Sequence, residues 1–408
     1  MASSPRDPTT RRAASRIVSA LTLTKAGDRV VDPKTVLPWL LEVLGAPLGL
    51  VGLLVPIRES GSLLPQAAVS PWVAAQRRRS GIWALGAVGQ AVAAAALGAV
   101  AVTLTGTAAG LAVVALLVVF ALARSLCSLS IKDLMGRTIP PGGRGRVTGW
   151  SDSASGVVAL TVGVGLRWVE GAPTEVFLWL FLGATAAWLV GTTFILGVRE
   201  PEGADSETPT STAAAVGLLR TDRDFRHFVV ARALLLGSAL TPPFVVALSV
   251  EATGADIAGL GPFVIAAGLA TLLGGRPWGW IADRSSRLVM AVAAGSASLV
   301  VAVVVAVYVL DVRTLWTWVV LYFLLALIHT GARVGRSTYV VDFGDRGDRT
   351  SYVAVSNSVM GVLLLLAGGV TAALAAVSPV AALAVLACIG VTGVPAARRL
   401  PETGHGAG

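Results

Sequence analysis

Charge is scarce in this chain. Only 13% of its 408 residues are Asp, Glu, Lys or Arg, against 55% apolar, and mean hydropathy is +0.77. A soluble domain carries about 25% charged residues, so a soluble globular fold is excluded for most of the sequence. Cysteine is nearly absent as well. Cys127 and Cys388 both fall inside apolar runs, which excludes a disulfide framework. No His-x-x-Glu-His, paired Cys-x-x-Cys, Gly-x-x-x-x-Gly-Lys-Ser/Thr or Gly-x-Ser-x-Gly stretch occurs. No ATP-driven step, no metal, no cofactor and no enzymatic activity is therefore expected. The first 36 residues hold seven Lys/Arg and lack an apolar core followed by small residues, so no cleaved signal peptide is expected. Lysine is rare beside arginine; with heavy Ala, Gly and Val usage, this composition points to a bacterium with GC-rich DNA.

What abounds is the long apolar run. Roughly 20 apolar residues cross a bilayer, and such runs recur at about 37–57, 62–76, 81–104, 108–131, 149–168 and 174–197. A second set lies at about 226–249, 257–281, 288–310, 314–332, 351–375 and 378–396. Between the sets, Arg199–Asp224 is charged and rich in Pro, Ser and Thr, the composition of a linker. The pattern predicts an all-α polytopic membrane protein with twelve transmembrane helices. Its parts would be a cytosolic N-terminal segment (1–36), a six-helix half (37–198), a cytosolic linker (199–224), a second six-helix half (225–397) and a cytosolic tail (398–408).

The loop charges fit this alternation. Most of the 32 Lys/Arg fall on one side, Arg77, Arg78, Arg79, Arg333 and Arg336 among them; the other side holds Arg58 and Arg313. Basic loops stay in the cytoplasm, so both termini are expected inside a plasma (inner) membrane. The net charge of +9 follows from that sidedness. Lipid is the expected partner, and nucleic acid is not.

Two stretches repeat. After the fourth run, Gly136-Arg137-Thr138 precedes a Pro/Gly turn and Arg144-Gly-Arg146; after the tenth, Gly335-Arg336-Ser337 precedes a Gly-rich turn and Arg346…Arg349. The stretch Gly275–Arg287, Gly-Arg-Pro-Trp-Gly-Trp-Ile-Ala-Asp-Arg-Ser-Ser-Arg, links two apolar runs. It resembles the Gly-x-x-x-Asp-Arg/Lys-x-Gly-Arg/Lys signature of the major facilitator superfamily through Gly279, Asp283, Arg284 and Arg287. The resemblance implies two pseudo-symmetric six-helix bundles that rock about a central site. It implies that spans one, four, seven and ten line the cavity, while two, five, eight and eleven form the interface between halves. It also implies a cytoplasmic gate in which Asp283, with Arg284 and Arg287, latches the outward-open state; Arg144 and Arg146, in the loop after span four, are expected at the same gate. The cluster Arg77–Arg79 has no aspartate and reads as positive-inside anchoring. The glycine–proline motif of many antiporters is missing from span five.

Ionisable side chains inside a span cost about 2.5–3.5 kcal/mol at its centre, so each calls for a partner or water. At about 1.5 Å per residue, Glu42, Arg124 and Asp152 in the first half, and Arg232, His329 and Asn357 in the second, fall in one layer of the cytoplasmic third. Two readings stand: a substrate or proton site, or ion pairs stitching helices together. Arg124 and Asp152 are expected to pair. Arg58 and Glu59 at the outer end of span one, with Gln66 on span two, read either as an interfacial ion pair or as an outer gate. Trp39, Trp168, Trp179, Trp316 and Trp318 read as interfacial anchors.

These observations and the resemblance together imply a secondary active transporter of a small molecule, working by alternating access. Protons are the candidate coupling ion, through Glu42 or Asp152 and less so His329, and the lean is to export for want of a sugar-binding pattern. The alternative is a non-transporting relative, a membrane sensor or assembly partner.

Overall fold

The computed structural model describes residues 8–139, 144–168, 173–200, 217, 219–343 and 349–401; within them, the side chains of Arg144, Arg146 and Asp152 lie outside the described set. Every regular element among the described residues is helical. Nine helices among the described residues are long and apolar enough to cross a membrane, and ten of the twelve expected spans have a helix where the apolar runs place them. Spans three to six are Arg79–Thr103, Gly106–Thr138, Arg144–Gly165 and Pro173–Leu196. Spans seven to twelve are Arg223–Thr253, Leu260–Arg284, Ser286–Val309, Leu315–Phe343, Arg349–Val377 and Pro379–Arg398.

The first two spans depart from expectation. Pro8–Val30 and Val36–Val43 together make span one; Leu48–Leu63 and Pro65–Ala75 make span two. The chain reverses between them at Gly45, whose φ of +67° lies in the left-handed region that glycine reaches without penalty. The apolar run 37–57 is therefore cut between two antiparallel helices. Pro8–Val30, in the segment expected to lie apart from the first half, is a helix packed against it. Hydropathy conceals this helix because it carries Arg11, Arg12, Arg16, Lys25, Asp28 and Arg29. Its apolar stripe nevertheless keeps a helical period: Ala13, Ile17, Ala20 and Leu21 are buried. The stripe packs on span six, where Gly191 meets Ala20 and Thr24, and Gly27 meets the Trp188 ring.

Two helices outrun their apolar segments. Lys132, Asp133 and Arg137 continue span four, and Arg333 and Arg336 continue span ten, so these charges sit on helices and not in loops. Many large apolar side chains point outward, Val92, Leu111, Leu299 and Trp179 among them, as a lipid-facing surface requires. Trp168, Trp179 and Trp316 are exposed, but Trp39 and Trp318 are fully buried in the protein core and anchor nothing at the interface.

The halves meet through spans two and eleven and through spans five and eight. On the first pair, a Cβ at Gly368 would stand 2.0 Å from Pro56, Gly52 abuts Ala372, and Ser60 Oγ donates to the Gly361 carbonyl at 2.7 Å. On the second, Gly163 abuts Gly261 and Ile265, whereas the neighbour facing Gly156, Leu272, has withdrawn to 3.9 Å. Between spans five and eight, contact is thus tight toward the face bearing the Gly45 turn and loosens toward the face bearing the chain ends.

Candidate functional site

A cavity of about 640 Å³ lies between the halves. Its walls come from helices that break. In span one, Pro33 lacks an N–H and its ring disfavours a helical residue before it. The break is held by Asp32, whose Oδ1 accepts from the Lys34 backbone N–H at 2.8 Å and the Thr35 hydroxyl at 3.0 Å. Asp32, Pro33 and Lys34 thereby reach the cavity wall. Span seven breaks at Leu235 and again at Thr241, just before Pro242 and Pro243. These interrupted helices face each other from opposite halves.

Asp28 is the hub of the first-half wall. It bonds Arg58 at 2.8 Å and also Arg124, and the Arg58 guanidinium lies 4.6 Å over the Phe120 ring. Glu59 has Lys34, Arg58, Arg124 and Arg336 as its charged neighbours. In the second-half wall Arg232, 8% exposed, donates to Ser356 Oγ and, at 2.9 Å, to Asn357 Oδ1. Its Nε is buried without a partner among the described residues.

One chain of hydrogen bonds crosses the cavity. Lys34 Nζ lies 3.1 Å from His329 Nε2, and His329 Nδ1 lies 3.2 Å from Ser238 Oγ. The Ser238 hydroxyl donates to the Leu235 carbonyl at 2.9 Å. An ammonium only donates, so Nε2 must accept, and the single ring proton sits on Nδ1 and points at Ser238. In this arrangement His329 is neutral. Below it, Tyr322 stacks edge-on against Phe263, and Phe263 against Trp39, with ring centroids 5.4 and 5.9 Å apart. This aromatic plug closes the cavity toward the face of the Gly45 turn.

The lining is strongly basic. Among the described residues, Lys25, Arg29, Lys34, Arg58, Arg124, Lys132, Arg232, Arg333 and Arg336 face three acids, Asp28, Asp32 and Glu59. All three lysines of the chain are in that set.

The residues expected in one layer do not all meet. Arg124, Arg232, His329 and Asn357 line this cavity. Glu42 does not: with the first turn at Gly45, it sits at the far end of span one, where its charged neighbour is Glu251. Arg58, Glu59 and Gln66 lie on cavity-lining stretches of span two and not at an outer rim. Arg124 pairs with Asp28; the side chain of Asp152, the partner expected for it, lies outside the described residues, as do those of Arg144 and Arg146. Lys25, Asp28, Arg29 and Lys34 were unforeseen, since they belong to the segment read as cytosolic. The Ala13, Ile17, Ala20, Leu21 period was the signal that placed them on a packed helix.

At the face bearing the chain ends, Asp283 and Arg284 are exposed, and the Arg284 guanidinium lies 3.4 Å over the Trp280 ring. Arg287 donates to the Leu400 carbonyl at 3.3 Å, and Gly279 opens onto free space. Arg77 and Arg78 are exposed, as an anchoring cluster would be, but Arg79 is 1% exposed. Its guanidinium bonds Asp133 and the carbonyls of Val73 and Gln76, and Glu200 accepts from the Arg79 and Ser80 backbone N–H groups at 2.7 and 2.8 Å. That carboxylate caps the start of span three, where a helix N-terminus favours negative charge.

No protein-family model and no curated protein matches the sequence. Solved structures match it end to end. The nucleoside transporter NupG aligns over 96% of this chain and 100% of its own with a TM-score of 0.75 at 12% identity. The xylose transporter XylE from E. coli, inward open, aligns over 96% and 97% with a TM-score of 0.69 at 10% identity. A bacterial homologue of the iron transporter ferroportin, inward-facing, aligns over 96% and 98% with a TM-score of 0.66 at 15% identity. The chain has the major facilitator fold. The cavity described above lies between the two halves of that fold, and nine helices among the described residues are long and apolar enough to cross a membrane.

Proposed function

We propose that this protein is a secondary transporter that carries a small molecule across a bacterial plasma membrane by alternating access. The observation that carries the reading is the polar cavity between two halves that close on one face only. A transporter caught in one of its two access states has this form, whereas a purely structural bundle would bury apolar side chains along its axis. With the basic face in the cytoplasm, the state described is open inward. Asp283, exposed here, would engage only when that face shuts, as a latch for the outward-open state would.

Glu42 lies outside the cavity and is not placed to couple protons to a solute there, and Glu59, the cavity carboxylate ringed by cations, serves as their ion-pair partner. The test is solute-dependent proton flux in proteoliposomes. Wild type should show solute flux, and Glu42→Gln should leave any accompanying pH change intact. Flux without a pH change would make the protein a facilitator or exchanger; no flux with any pooled metabolite would sink the transport reading.

A further inference from the structure

The cavity's charge is far from balanced, and the imbalance is informative about what it holds. Positive-inside topology accounts for basic residues at the rim, where Lys132, Arg333 and Arg336 end their helices. It does not account for Arg232. That guanidinium is 8% exposed, is held by a hydroxyl and an amide, and has one buried N–H without an acceptor among the described residues. A buried charge left unpaired is among the costliest features a protein can keep. Nature keeps such a group where a ligand completes it.

The acids among the described lining residues are already committed. Asp28 serves two arginines, and Asp32 is engaged by the Lys34 N–H and the Thr35 hydroxyl. Glu59 stands alone against four cations. On span ten, Arg333 and Arg336 are three residues apart on one helix face, a like-charged pair that an anion between them would relieve. Arg336 is also the charged neighbour of Arg232, so the second-half wall presents converging guanidinium groups with no carboxylate among the described residues.

We propose that the cavity takes a small organic anion with at least two negative charges, carried on carboxylate or phosphate oxygens, with Arg232 as its buried anchor. The guanidinium fork matches both oxyanions in a bidentate arrangement. The proposal rests on the transport reading for its biological role but not for its binding chemistry. A neutral sugar would leave the basic wall unneutralised, and a cationic drug would be repelled by it. The carboxylate or phosphate source is left to the test.

The experiment is thermal stabilisation of the detergent-purified full chain at fixed ionic strength, run beside uptake into proteoliposomes. Succinate, citrate and glycerol 3-phosphate are the anionic probes; glucose and tetraethylammonium are the neutral and cationic ones. At least one anionic probe should stabilise the protein saturably, and glucose and tetraethylammonium should not. Response to the carboxylates alone or to the phosphate ester alone names the source, and either supports the proposal. Arg232→Lys, which keeps the charge and the fold, should weaken binding about 10-fold by losing the bidentate contact. Lys132→Gln, at an exposed position, should weaken it with no change in the unliganded melting temperature. Anion binding without uptake would uphold the anion site and remove the transport reading. Uptake of glucose or tetraethylammonium with no anion binding would keep transport and overturn the anion site, as would failure of every anionic probe to bind.

Discussion

A guanidinium inside a membrane protein survives only with acceptors around it, and three arginines here meet that need differently. Arg58 shares Asp28 with Arg124, Arg79 is wrapped by Asp133 and two carbonyls, and Arg232 leans on neutral groups. Removing an acceptor should therefore cost according to what is left. Asp28→Asn leaves two cations facing each other and should destabilise by about 2–3 kcal/mol, at the lower end for buried pairs because Arg124 is a third exposed. A double-mutant cycle of Asp28→Asn with Arg124→Gln, read by thermal unfolding, should give a coupling of about 1–3 kcal/mol; strictly additive losses would dissolve the pair. Arg79→Ala should lower stability by about 3 kcal/mol, while Arg77→Ala, on the exposed side of the same cluster, should stay within about 0.5 kcal/mol of wild type. Equal effects would return Arg79 to a plain anchoring role.

At the scale of elements, the broken first span is the main departure from the sequence reading. A hydropathy window weighs average apolarity, and Pro8–Val30 fails it because its polar face lines the cavity while its apolar stripe is narrow. The run that follows passes the window although Gly45 folds it in two. Ile17→Asp separates the two accounts. On a buried stripe an unpaired carboxylate costs several kcal/mol and should abolish monodisperse protein in detergent; on a cytosolic tail it would change nothing. The other ten spans were legible because each is long, mostly apolar and bounded by Pro, Gly or charged turns. The extension of spans four and ten past their apolar segments was not, since a helix that leaves lipid for a cavity no longer needs an apolar face all round.

For the molecule as a whole, the decisive feature is which end is shut. Gly368 against Pro56 and Gly163 against Gly261 let the halves touch at one face. Gly368→Leu has no room there and should push the equilibrium toward opening at that face. Spin labels placed across the Gly45-turn face should report a longer distance than in wild type; an unchanged distribution would mean the helices absorb the side chain without rocking. Asp283→Asn acts on the opposite face. Near-normal expression with weakened transport is the expected result, and unchanged transport kinetics would leave Asp283 a topological marker only.

The sequence by itself determined the helical membrane class and the positions of ten of the helical segments, because both follow from how much apolar surface a stretch offers to lipid. Four of the six residues it grouped in one layer do share a cavity, since ionisable groups in apolar helices have few places to go. Only the tertiary structure decided where the first helix begins, that Glu42 lies at the far end and Arg58 and Glu59 at the centre, and that Asp28 is the acid Arg124 meets. Those facts depend on one left-handed glycine and on which helix packs beside which. A hydropathy profile carries neither, because both are properties of contacts between residues far apart in the chain.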